Sequence, residues 1–151
     1  MATETDAPTI VDVLARMDEG WQAFRARVHA LPGEALQAHV GGGGWTRKQM
    51  LGHITTWHDL TVDRLSTFAS TGEVPQLDED EDAINARAAR AAEGRTAGEV
   101  LQSMDDSFGR LRREVARLSD EQLASHDLFA AAAIAGNSYG HYAEHMADLD
   151  A

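Results

Sequence analysis

Three histidines carry the chemistry this sequence offers. His141 and His145 stand four residues apart, a spacing that stacks two side chains on one face of an α-helix. Imidazoles so placed can share one metal ion, as the HExxH helices of zinc enzymes do. Asp148, seven residues beyond His141, falls on the same stripe and brings a carboxylate within range. The pair also has a plainer reading, a half-buried helix whose histidines bond to water or to a neighbouring carbonyl, so a third ligand decides between the two. His53 is the candidate: it sits within the first two turns of another helix, with Trp57 one turn further along the same side. Three imidazoles with an open fourth position describe a Lewis-acid or water-activating centre rather than a closed structural one. His58, five residues after His53, points about 140° away from it at ~100° per residue. It reads as a surface residue or as a support to the site. His29, His39 and His126 lie in or beside loops and read as surface groups.

The elements that must position these side chains are helical throughout. Thr9 can cap a helix on which Ile10, Leu14, Met17, Trp21, Phe24 and Val28 recur at helical spacing, ending near Leu31-Pro32-Gly33. Thr46-Arg-Lys-Gln49, Thr96-Ala-Gly-Glu99 and Ser119-Asp-Glu-Gln122 are capping boxes, in which the hydroxyl and the side chain three residues on satisfy each other's backbone amides. The first opens a helix to about Ser70 with Met50, Ile54, Trp57, Leu60, Leu65 and Phe68 on its apolar stripe. The second opens one to about Leu118, and the third a short turn through Leu123. The acidic run Asp78–Asp82 leads into an alanine- and arginine-rich helix, about Glu81–Ala92. Its charge complements the helix dipole, and it lacks the order of an EF-hand calcium loop. Residues from Leu128 to Ala135 lead to an expected bend at Gly136-Asn137 and to the final helix, which carries His141 and His145. No stretch alternates with period two. The pattern predicts an all-α chain, a four-helix bundle with a short additional helix, in one domain over residues 1–151 with a frayed tail at 1–7. Gly41–Gly44 lacks both the Gly-Lys-Ser/Thr of a Walker loop and the strand before a GxGxxG turn, and reads as a flexible connector.

Composition excludes several classes of function. The net charge of −12 argues against general affinity for nucleic acid or anionic membrane, since the phosphate term needs clustered lysine and arginine. The arginines of residues 86–117 alternate with aspartate and glutamate, as on a solvated helix surface. No cysteine is present, so a metal must use imidazole, carboxylate, carbonyl or water, and a thiol nucleophile must come from a small cofactor. No apolar run reaches the ~18–20 residues of a membrane span. The acidic start Met1-Ala-Thr-Glu-Thr-Asp6 lacks the order of a signal peptide. The expected location is the cytoplasm.

Trp45-Thr-Arg-Lys-Gln-Met-Leu-Gly-His53-Ile-Thr-Thr-Trp57, followed much later by Asn137-Ser-Tyr-Gly-His141-Tyr-Ala-Glu-His145, resembles the DinB-like superfamily, including its ClbS/DfsB-type branch. The resemblance covers nearly the whole chain in order and length. It implies a bundle of up-up-down-down connection, often dimeric, with a divalent metal on three histidines; the matching positions here are His53, His141 and His145. Activities in that superfamily include thiol-cofactor-dependent transfer and isomerisation, as in mycothiol-dependent maleylpyruvate isomerase. They also include hydrolytic self-protection against a reactive natural product in the ClbS type.

Two accounts of function follow from these residues. In the first, the chain is a metal-dependent hydrolase or thiol-dependent transferase acting on a small molecule. Zinc or nickel would be held by the three histidines, with water or the sulfur of a low-molecular-weight thiol at the open position. Glu144 and Asp148 are then candidates for proton transfer or for orienting an imidazole, and Trp57 and Tyr142 for lining an apolar pocket. In the second, the same bundle binds or sequesters an apolar small molecule without catalysis, and the histidines are polar pocket lining.

Overall fold

The computed structural model describes residues 7–40 and 44–150. The expected frayed tail, apart from Ala7, and three of the four connector glycines lie outside the described residues. Helix α1 (Ile10–His29) starts where Thr9 accepts a hydrogen bond from the Asp12 amide, and buries Val13, Met17, Trp21, Phe24 and Val28. A 3-10 turn (Gly33–Gln37) follows. The loop then closes on itself through Val40 N–H to Trp45 O at 2.8 Å and Arg47 N–H to Ala38 O at 2.9 Å. Helix α2 (Arg47–Thr71) carries the first capping box as expected, with both hydrogen bonds between Thr46 and Gln49 in place.

Asp80 caps α3 (Glu81–Glu93) by accepting from the Ala83 amide. Glu79 pairs with Arg87 at 2.7 Å, so the acidic run has a structural use at a helix start. The other two capping boxes open α4 (Ala97–Ala116) and α5 (Asp120–Ala124). His126, Asp127 and Leu128 then run in the left-handed region, with φ of 51°, 54° and 64°. Each such residue costs roughly 1–2 kcal/mol, and α6 (Phe129–Asn137) begins one residue later than the apolar pattern suggests.

The expected bend at Gly136-Asn137 falls instead at Ser138, whose φ of −131° and ψ of −107° separate α6 from α7 (Tyr139–His145). The Ser138 hydroxyl donates to Ile134 O, so the break is held by the side chain that makes it. The final helix is also shorter than expected. It passes at Met146 into a 3-10 turn (Met146–Leu149), and Asp148 lies in that turn rather than on a continuing α-helical stripe.

Among the described residues no strand forms, and the chain is all-α. Phe24, Met50, Leu51, Ile54, Leu65, Met104, Leu111, Ile134 and Tyr142 share one buried cluster to which α1, α2, α4, α6 and α7 all contribute. Burial of each large side chain contributes about 1.5–3 kcal/mol. No helix among the described residues is long and apolar enough to cross a membrane.

Helix α3 lies against α2 because Gly52 leaves room for it. A Cβ added at Gly52 would stand 2.6 Å from the Ala92 Cβ, closer than carbon atoms can approach. Gly52→Ala is therefore expected to cost about 1–3 kcal/mol through overpacking, read as a lower urea midpoint at unchanged slope. Adding Ala92→Gly should recover part of that loss.

Candidate metal centre

The α2–α3 contact brings an amide to the first histidine. Asn85 on α3 places Oδ1 2.8 Å from Trp57 Nε1 and 3.0 Å from His53 Nδ1. An indole nitrogen can only donate, so the Asn85 atom facing it is oxygen. The same oxygen faces His53 Nδ1, which must carry the proton. His53 Nε2 is left with its lone pair. At the other end, the 3-10 turn swings Asp148 back so that Oδ2 lies 2.8 Å from His145 Nδ1. That carboxylate accepts, and in the neutral imidazole, the form that ligates, His145 Nε2 is likewise a lone pair.

Both lone pairs point at His141. His53 Nε2 is 2.9 Å and His145 Nε2 3.1 Å from His141 Nε2, and the three ligand atoms lie within 4.8 Å of one another. A tetrahedral ion about 2.0–2.1 Å from each nitrogen would hold them roughly 3.3 Å apart, close to the two distances to His141. A single proton on His141 Nε2 would serve at most one neighbour well. His141 Nδ1 is buried without a partner in either tautomer, so that atom does not choose between them. With the proton on Nδ1 instead, three lone pairs converge, the arrangement a cation requires. The donor set fits a divalent metal.

Electrostatics agree with neutral ligands. His53 and His141 are only 6% and 7% exposed. Burial, with repulsion from His145, lowers the His53 pKa to about 4 against a smaller opposing effect of Asn85. Burial and then the neighbouring histidines lower that of His141 to about 3. Neutral imidazole is the form that ligates.

His53, Trp57, Asn85, Asn137, His141 and Glu144 line a cavity of about 370 Å³ beside this centre. Of the expected residues, the three histidines meet, Trp57 and Glu144 face the cavity, and Asp148 sits on the outer side of His145. Tyr142 does not line the cavity. Its ring is 1% exposed in the core, because an adjacent position on a helix points about 100° away from His141. Its hydroxyl lies 2.7 Å from His58 Nε2, while His58 Nδ1 lies 2.7 Å from Ser107 Oγ.

His58 is thus not a surface residue. It is fully buried, and the 140° that separates it from His53 turns it into the core between α2, α4 and α7. His29, His39 and His126 are exposed, as expected. Asn85 escapes sequence reading, although a lone amide in an alanine-rich helix whose other inward residues are Ile84, Ala88, Ala89 and Ala92 is the signal that marks it.

A family model described as the DinB superfamily matches residues 16–148, a span that includes every residue of this centre. No curated protein and no solved structure matches the chain.

Burial holds the His58 pKa near 3, with a further lowering by Arg110. In the unfolded chain it would titrate near ~6.5. The unfolded state therefore binds more protons as pH falls below that value, and stability should drop through the window from about 6.5 towards 4, by up to ~1.4 kcal/mol per pH unit for this group. Above it the contribution is flat. Urea unfolding at stepped pH in chelator should show this slope, reduced in His58→Gln.

Proposed function

The chain belongs to the DinB superfamily, which includes metal-binding, enzyme-like members, and from that premise we propose that it is a metal-dependent enzyme acting on a small molecule. The carrying observation is the convergence of three imidazole Nε2 atoms, two of them on rings whose Nδ1 faces an acceptor. His53, His141 and His145 would hold a divalent ion, zinc or nickel in this reading, although imidazole alone does not choose among such metals. Bound there, a divalent ion supplies Lewis acidity and lowers the pKa of a water or thiol placed against it.

The protein's own groups do the rest. Asn85 and Asp148 fix the ring orientation and tautomer of two ligands. Trp57 walls the cavity and excludes water from one side. Glu144, which lines the cavity with His141, would take a proton from the attacking nucleophile. The reaction class in this reading is hydrolysis or thiol-dependent transfer, and a thiol would come from a small cofactor, since the chain has no cysteine. A purely sequestering protein could use the same cavity, but it would have no need of acceptors facing Nδ1 of two imidazoles.

Protein purified without a histidine tag should contain near-stoichiometric metal by elemental analysis. His53→Ala and His145→Ala should lose it with helicity intact. Asn85→Ala and Asp148→Ala should weaken metal binding by about 10–100-fold. Wild-type protein that takes up no metal from Zn²⁺, Ni²⁺ or Mn²⁺ would sink the enzyme reading and favour sequestration.

A further inference from the structure

The cavity has a far wall that the metal centre leaves unused. Arg64 follows His53 by eleven residues on α2. At ~100° and 1.5 Å per residue, its Cα returns to within about 20° of the same face, roughly 16 Å along the axis. Helical side chains lean towards the N-terminus, which brings the guanidinium back towards His53, and it lines the same cavity. Phe129 supports it from behind, with the guanidinium carbon 5.0 Å from the ring centre.

The donors of Arg64 are poorly used. One Nη reaches Pro75 O at 3.4 Å, the outer limit of a hydrogen bond, and Nε is buried with no partner. The two buried cations are satisfied: Arg47 donates to the carbonyls of Ala35, Asp148 and Asp150, and Lys48 to those of Glu93 and Arg95. On the surface Arg25, Arg110 and Arg112 each hold a carboxylate. Among the described residues no carboxylate is within ion-pair distance of Arg64. Burial lowers its pKa, yet a guanidinium keeps its proton at neutral pH. Arg64 is half-buried and lines the cavity, so its remaining donors face water there, which a ligand acceptor can replace.

We propose that Arg64 binds the carboxylate of an elongated small-molecule substrate whose other end reaches the three histidines, an inference that rests on reading those histidines as the reactive centre. The planar fork of a guanidinium matches a carboxylate with two parallel hydrogen bonds. Leu77 and Trp57 contribute apolar wall to the same cavity. Glu81 and Glu144 also face the cavity, and their carboxylates disfavour a dianion such as phosphate more than a single negative charge.

The test is calorimetric titration of the full chain with ω-phenylalkanoates of two to six methylenes, their primary amides and inorganic phosphate. Wild type, Arg64→Gln, Arg64→Lys and the double variant His53→Ala/His145→Ala are compared, with metal content measured on each. At least one carboxylate should bind tenfold or more tighter than its amide. Arg64→Gln should abolish that preference at unchanged metal content, and Arg64→Lys should keep part of it. The preference should survive in the double histidine variant, since it comes from Arg64 and not from a carboxylate on the ion. Equal binding of acids and amides, no binding at millimolar concentration, a preference that persists in Arg64→Gln or vanishes with the histidines, or phosphate binding tighter than every carboxylate would each overturn the proposal. An Arg64-dependent preference in protein that takes up no metal would support the carboxylate site while refuting the metal reading.

Discussion

The proton on Nδ1 of two histidines governs this structure. An imidazole has two nitrogens and, when neutral, one proton, so an acceptor fixed at one nitrogen decides what the other can do. Asn85 and Asp148 are those acceptors, and neither belongs to the stretch of α2 that bears His53 or to the helix that bears His145. The centre therefore requires that α3 lie against α2 and that the chain turn sharply after His145. Burial of His53 and His141 then works in the same direction, because it penalises the protonated form.

Backbone proximity supplies those conditions. The two buried ligands, His53 and His141, each follow a glycine. At Gly52 an added Cβ would meet Ala92 at 2.6 Å, and at Gly140 it would meet the Ala135 carbonyl oxygen at 2.7 Å. Close approach just before each ligand brings α3 onto α2 and folds α7 back on α6. The first residue of α2 completes the arrangement. The guanidinium of Arg47 donates to the Asp148 and Asp150 carbonyls at 2.8 and 2.6 Å, pinning the 3-10 turn whose carboxylate orients His145. One helix thus bears a ligand and anchors the segment that steers another.

Much of this was legible before any coordinates. Three capping boxes mark the starts of α2, α4 and α5 because capping is local, written within four consecutive residues. The histidine pair was legible from its spacing and His53 from its place on another helix, but that the three would meet at one point was what the resemblance to the DinB-like superfamily implied. What depends on how helices meet was not legible. The burial of His58, the withdrawal of Tyr142 into the core and the arrival of Asn85 follow from the rotation of whole helices about their axes, which a single helix's spacing does not fix. The break at Ser138 was displaced from the glycine-asparagine signal by one hydroxyl that takes the Ile134 carbonyl. Arg64 looked like any other arginine, since its lack of a carboxylate partner is a property of the fold around it.

Helix α7 shows why the buried polar groups away from the centre matter. It spans only Tyr139–His145, far too short to be stable alone when isolated helices of ~12–15 residues are marginal. Its orientation must come from outside. On one face His141 and His145 meet His53; on another, the Tyr142 hydroxyl meets His58, which Ser107 holds in turn. Trp21 and Phe24 of α1 flank the Tyr142 ring, with centroids 5.4 Å away in each case. An apolar residue at position 142 could fill the same space, but it would leave the rotation of α7 to shape alone. A hydrogen bond from a rigid ring sets that rotation, and with it the direction in which the two neighbouring imidazoles point.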